Sequence, residues 1–260
     1  MKVKKYLPSL LTICNLFLGY LSILYIQKGA DYFTLACYLI ILASAFDAFD
    51  GKLARRIGLS SKFGKEIDSL ADLISFCLAP SILIFNIFLI STSLPFLYLA
   101  FISSLPVIMG AIRLARFNLE ETDKKYFIGL PSPALAITIC AIVLMHQKLA
   151  SLLTNYLGYN IFSSNIILPI VVLLSFLMIG KIQFSKFPLF TFRHSTQNSI
   201  RLGSLIIAII LLLLSIINEL QHYMLFILST YYIISNIIFH FINNSIKLNE
   251  LKTKIKKRKL

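Results

Sequence analysis

Apolar and polar positions in this chain fall into long blocks, not short periods. Apolar runs of roughly 20 residues, the length at which a helix crosses a hydrocarbon layer about 30 Å thick, cover about 8–27, 32–50, 67–91, 94–118, 130–153, 161–180, 201–218 and 222–243. The connections between them are short. Ser91 to Pro95 joins the third run to the fourth, and Gly129, Pro131 and Pro133 lead into the fifth. The pattern predicts an all-α polytopic transmembrane helical bundle of about eight spans, without internal repeat or soluble domain. Lys2, Lys4 and Lys5 before the first run resemble the basic flank of a signal peptide. No small-residue cleavage site follows, however, and further spans do, so the first run reads as a span.

Composition agrees with this reading: the 260 residues are 58% hydrophobic. Charge then orients the bundle. With an even number of spans, one set of connections holds every Lys and Arg except Lys28 and Lys148. Positive residues collect on the cytoplasmic side, so both termini and the connection after the second span are expected at the cytoplasmic face of the cell membrane. The formal net charge of +14 follows from the same bias. The basic run Lys252 to Lys259 is expected to lie on the lipid surface against anionic headgroups or to be disordered; membrane lipids are expected partners and nucleic acid is not. Cys14, Cys37, Cys77 and Cys140 all lie within apolar runs and read as small buried residues, without metal or disulfide spacing. His146, His194, His222 and His240 are scattered and read as loop or interface residues.

Against this background the acidic residues stand out. The chain has only 11, and four of them form a frame at the edges of apolar runs: Asp47 and Asp50, then Gly51, Ala54 and Arg55, eight residues, Gly64, and finally Asp68 and Asp72. Carboxylates beside hydrocarbon are expensive and therefore point to a functional site. In helices, the i,i+3 pair Asp47/Asp50 and the i,i+4 pair Asp68/Asp72 each share one face. Two such faces opposed would make an oxygen-only site that needs cations, which favours hard divalent ions such as Mg2+ or Mn2+ over zinc. Gly51 and Ala54 leave room for a ligand, and Arg55 offers a planar fork to phosphate oxygens. Metals, a phosphate-directed Arg and space beside them point to phosphoryl transfer. A transporter would distribute its carboxylates through the bilayer depth or show inverted repeats; here they cluster at one face.

The frame from Asp47 to Asp72 resembles the signature of the CDP-alcohol phosphatidyltransferase family at every defined position. The resemblance implies a membrane-embedded homodimer with a six-span catalytic core, here residues 1–180. Residues 181–246 would then be a basic loop and two additional spans, and 247–260 a basic cytoplasmic tail. It also implies an enzyme that moves the phosphoryl-alcohol part of a CDP-linked substrate onto a hydroxyl and releases CMP. Asp47, Asp50, Asp68 and Asp72 would surround the metal, with Asp72 also the general base. Gly51, Ala54 and Arg55 would face the nucleotide and pyrophosphate.

Other segments bear on the acceptor. The stretches Pro8 to Gly19, Ser75 to Ser81, Arg113 to Asn118 and Gly129 to Ala134 resemble the integral-membrane phosphatidylserine synthases of that family. The substrates implied are CDP-diacylglycerol and L-serine. A zwitterionic acceptor needs a cation for its carboxylate. Arg113 and Arg116, i,i+3 at the end of the fourth span with Asn118 nearby, are candidates for acceptor or lipid-phosphate binding; headgroup anchoring is the competing reading for each Arg. Asn15, polar within an apolar run, is a candidate for the nucleotide or metal region or for a helix–helix hydrogen bond. Thr12 is a weaker candidate. Pro131 and Pro133 read as setting the start of the fifth span. The alternative acceptors are glycerol 3-phosphate and inositol phosphate; the first would draw on Lys181 and Lys186 for its extra phosphate.

Overall fold

The computed structural model describes residues 3–57, 62–119, 126–157, 164–185, 196–217 and 220–258. It is a helical bundle: α1 (Val3–Gln27), α2 (Phe33–Ile57), α3 (Lys62–Asp72), α4 (Ala79–Ser91), α5 (Phe96–Leu119), α6 (Ser132–Leu157), α7 (Ser164–Ile179), α8 (Thr196–Ile217) and α9 (Gln221–Arg258). Among the described residues, five apolar helical segments are long enough to cross a membrane: Ser9–Gln27, Ala30–Gly51, Phe63–Ile90, Phe96–Leu119 and Gln221–Ile242. Three shorter ones, Ser132–Lys148, Ser164–Ile179 and Leu202–Ile216, follow the expected order. Leu97, Phe101, Leu173 and Tyr231 are among many large side chains left exposed on the outer helix faces. That suits a bundle whose solvent is lipid.

The core lies where α2, α4 and α6 meet. Phe76, Cys77, Ala79, Leu83, Leu135 and Ile139 are fully buried there. α1 runs along α2, α5 packs on α7, and α9 packs on α6.

Two features depart from plain α-helix. Between α3 and α4 the chain does not leave the helix but widens into a π turn over Leu73–Leu78, where the amide of Ala79 donates to the carbonyl of Ile74. Pro80 supplies the cause. It has no N–H to give the carbonyl four residues back, and its ring crowds that carbonyl, so bonding shifts to the wider register. The second is a two-stranded antiparallel ribbon, β1 (Tyr126–Ile128) with β2 (Gln183–Ser185), which the apolar pattern does not foretell. It ties the segment after α5 to the segment after α7. Beyond β1, the Gly129 amide donates to the Ile182 carbonyl at 2.8 Å and the Leu130 amide to the Leu177 carbonyl at 2.9 Å. Gly129 has φ +80°, a left-handed conformation open to glycine at no steric cost.

The basic C-terminus is not separate from the last span, since α9 continues unbroken to Arg258. At ~1.5 Å per residue it is far longer than a ~30 Å hydrocarbon layer, so its end projects beyond the apolar zone.

Candidate metal and acceptor site

Asp47 and Asp50 lie in the C-terminal half of α2, and Asp68 and Asp72 in α3. Their i,i+3 and i,i+4 spacing turns both pairs inward. Ligand oxygens of Asp47, Asp50 and Asp68 all lie within 4.8 Å of one another. Asp72 stands beside this triple, in contact with Asp47. At an effective dielectric of ~20, two unit charges near that separation repel by about 3 kcal/mol, so the triple calls for a compensating cation.

Helix α1 backs the cluster. The Thr12 hydroxyl donates to Asp50 Oδ2 at 2.9 Å, a larger part than the sequence suggested for it. Asn15 is fully buried; its Nδ2 reaches toward Asp72 Oδ1 at 3.5 Å, and its carbonyl accepts from Ser75 Oγ at 2.9 Å. Asn15 Oδ1 and Asp68 Oδ1 are both buried without a hydrogen-bond donor. Orphaned buried acceptors carry a full desolvation penalty; here one belongs to the carboxylate triple and the other to the side chain that reaches Asp72. An all-oxygen donor set of this kind fits a hard divalent cation.

On the other side of Asp72 lies a residue that the sequence did not single out. Ser132, fully buried at the first position of α6, donates to Asp72 Oδ2 at 3.2 Å and accepts from Arg113 Nη1 at 3.2 Å. Ser132 thus links base candidate and acceptor candidate. Arg113 is buried on α5, with its guanidinium 6.0 Å from the Phe127 ring centroid of β1 and its Nε unpaired. Ser132 sits between Pro131 and Pro133, which mark a helix start and no chemistry. The available signal was a hydroxyl between two prolines at the mouth of an apolar helix.

The other acceptor candidates are placed differently. Arg116 is exposed and donates to the Ile179 carbonyl at the end of α7, at 3.2 Å. Asn118 bridges α5 to α3, donating to Glu66 Oε2 and accepting from Ser69 Oγ. Gly51 is half-buried on α2 just past Asp50. Ala54 and Arg55 belong to the same helix, but their side chains lie outside the described residues. Lys181 is exposed, and Lys186 lies outside the described residues.

Fold and site together define a membrane-embedded helical protein whose converging, partly buried carboxylates suit a divalent cation. The model of the CDP-alcohol phosphatidyltransferase family matches residues 5–177, and the chain belongs to that family of phospholipid-synthesising transferases, which is divalent-metal dependent in general. It is 38% identical over 182 residues to the CDP-diacylglycerol–serine O-phosphatidyltransferase of Helicobacter pylori, covering 69% of this chain and 72% of that one. It is 32% identical over 197 residues to the Bacillus subtilis enzyme of the same name, covering 74% of this chain and 95% of the relative. It is 43% identical over 141 residues to the archaetidylserine synthase of Methanothermobacter thermautotrophicus, covering 53% and 58%.

Proposed function

We propose that this protein is a CDP-diacylglycerol–serine O-phosphatidyltransferase, moving the phosphatidyl group of CDP-diacylglycerol onto the hydroxyl of L-serine to give phosphatidylserine and CMP. The observation that carries the serine reading is the buried link Asp72–Ser132–Arg113 beside the carboxylate triple. Arg113 pairs with the carboxylate of serine, while Asp72 stands one hydroxyl away to receive the proton of the serine side chain. The serine oxygen then attacks the lipid-side phosphorus, a new P–O bond forms, and the pyrophosphate bond to CMP breaks.

Asp47, Asp50, Asp68 and Asp72 hold the cation, Mg2+ or Mn2+. When bound it neutralises pyrophosphate charge and stabilises the leaving phosphate. Gly51 leaves the nucleotide access to α2, Ala54 and Arg55 take its pyrophosphate side, and Asn15 fixes Asp72 from behind. Arg116, exposed at the helix end, meets a lipid phosphate, and Asn118 keeps α3 and α5 in register. Residues 1–180 form the catalytic core, 181–246 add a basic loop and two spans, and 247–260 form a basic tail. The enzyme works as a homodimer in the cell membrane, with both termini and the site on the cytoplasmic side, where serine and metal are at hand.

The test is CMP release by the full chain in liposomes containing CDP-diacylglycerol, with Mg2+ or Mn2+. L-serine, glycerol 3-phosphate and inositol phosphate are offered separately. Serine-dependent release that vanishes in Asp72→Asn, with CDP-diacylglycerol binding retained, is expected. Substantial turnover by Asp72→Asn refutes the base assignment, and release with another acceptor alone refutes the serine reading.

A further inference from the structure

Helix α9 lies beyond residues 5–177, which the family model matches, yet it is fastened to the acceptor side of the site. The ribbon register pairs Phe127 with Phe184 and sets Gln183 and Ser185 opposite Ile128 and Tyr126. In an antiparallel pair, alternate residues direct their backbone groups away from the partner strand. The outward groups of β2 are half-buried, and left unpaired there they would be costly. Side chains of α9 meet them. The Ser185 amide donates to Asn236 Oδ1 at 2.8 Å, the Gln183 amide donates to His240 Nδ1 at 3.3 Å, and the Tyr232 hydroxyl donates to the Ser185 carbonyl at 3.1 Å. Positions 232, 236 and 240 are four apart and so form one stripe on the helix. The Tyr232 ring lies 6.1 Å from that of Phe184. Opposite Phe184 is Phe127, which carries the Arg113 guanidinium on its face. The same strand runs through Gly129 and Leu130 directly into Ser132.

We propose that the Tyr232–Asn236–His240 stripe of α9 positions Ser132 and Arg113 through the ribbon, making the last helix part of the acceptor-binding apparatus. The proposal rests on the acceptor site described under Proposed function, and its residues are positioning residues, since none touches Asp72. Loss of the stripe loosens the ribbon and disturbs acceptor use, while the α1–α2–α3 half that holds nucleotide and metal stays in place.

The test compares Asn236→Ala, Asn236→Asp (which keeps an acceptor oxygen for the Ser185 amide), Tyr232→Phe and, as control, the exposed Ile234→Ala, all as full chains in liposomes. Asn236→Ala is expected to raise the KM for L-serine about tenfold and to leave the KM for CDP-diacylglycerol within about twofold. Asn236→Asp should recover part of the loss, since it keeps the acceptor for Ser185 but forfeits the bond from Asn236 Nδ2 to the Tyr232 carbonyl; Tyr232→Phe should show a smaller shift, and Ile234→Ala none. Backbone hydrogen exchange of 126–132 is read on the same proteins and should quicken about tenfold in Asn236→Ala, with that of α1 and α2 unchanged. If the wild type uses a different acceptor, the serine reading fails but the KM for that acceptor still reads the positioning. An unmoved acceptor KM, an equal rise in both KM values, or unchanged exchange at 126–132 overturns the proposal.

Discussion

Ser132→Ala removes one oxygen from the middle of the site. Ser132 is fully buried and makes two hydrogen bonds of 3.2 Å, one from a guanidinium and one to a carboxylate. A hydrogen bond to a charged group is worth ~1.5–3 kcal/mol. At these lengths the lower figure applies to each, giving about 3 kcal/mol for the pair. At ~1.4 kcal/mol per factor of ten, kcat/KM for L-serine should fall about a hundredfold. Arg113 is left with two unpaired nitrogens, since Nε already lacks a partner, and Asp72 loses the donor that fixes one oxygen. Thr12 and the carboxylate triple are untouched, so the KM for CDP-diacylglycerol and the metal requirement should move by less than about threefold. CMP release at varied serine, with saturating lipid and Mg2+, measures the effect, and a thermal melt checks that the protein is folded. A folded Ser132→Ala enzyme that keeps more than about a third of wild-type kcat/KM for serine would refute the linking role.

Thr12→Val keeps the shape of Thr12 but removes the 2.9 Å bond to Asp50 Oδ2. The half-saturating Mg2+ concentration should rise about five- to tenfold, as a hydrogen bond worth ~1 kcal/mol implies. An unchanged metal titration would show that Thr12 does not orient a ligand. Gly19→Ala places a methyl 2.7 Å from the Cα of Ser75, so α1 must shift away from the π turn. Overpacking of this kind costs ~1–3 kcal/mol, and Tm in detergent should fall by roughly 5 °C; an unchanged Tm would mean that the contact relaxes freely.

The aspartate frame was legible because its information is local. Spacings of three and four within helices fix which carboxylates share a face, and scarcity of acid in an apolar chain marks them out. The helical segments were legible for the same reason, since their length and apolarity are properties of contiguous sequence. The ribbon was not. Tyr126–Ile128 and Gln183–Ser185 are three residues each, lie more than fifty positions apart and have no hairpin turn between them. Their pairing is decided by the packing of α5, α7 and α9. Ser132 was hidden for a related reason, because its two partners come from α3 and α5. Pro80 lies about two turns after Asp72, where a proline reads equally as a kink, and only the Ala79–Ile74 bond identifies the wider turn.

That wider turn has a consequence for how the carboxylates are held. Residues from Lys62 to Ser91 form one continuous rod, not two helices with a loop between them. One added residue offsets the α4 portion of the rod by about 100° relative to an unbroken α-helix. This phase step lets a single rod show carboxylates on one side at its polar end and bury Leu83 and Ile87 on another at its lipid end. Asp68 and Asp72 therefore sit on the same continuous rod as the buried residues of α4. On the proposed metal role, Asp68 and Asp72 reach the ion from one continuous rod, and the packing of that rod against α1 bears the mutual repulsion of the carboxylates.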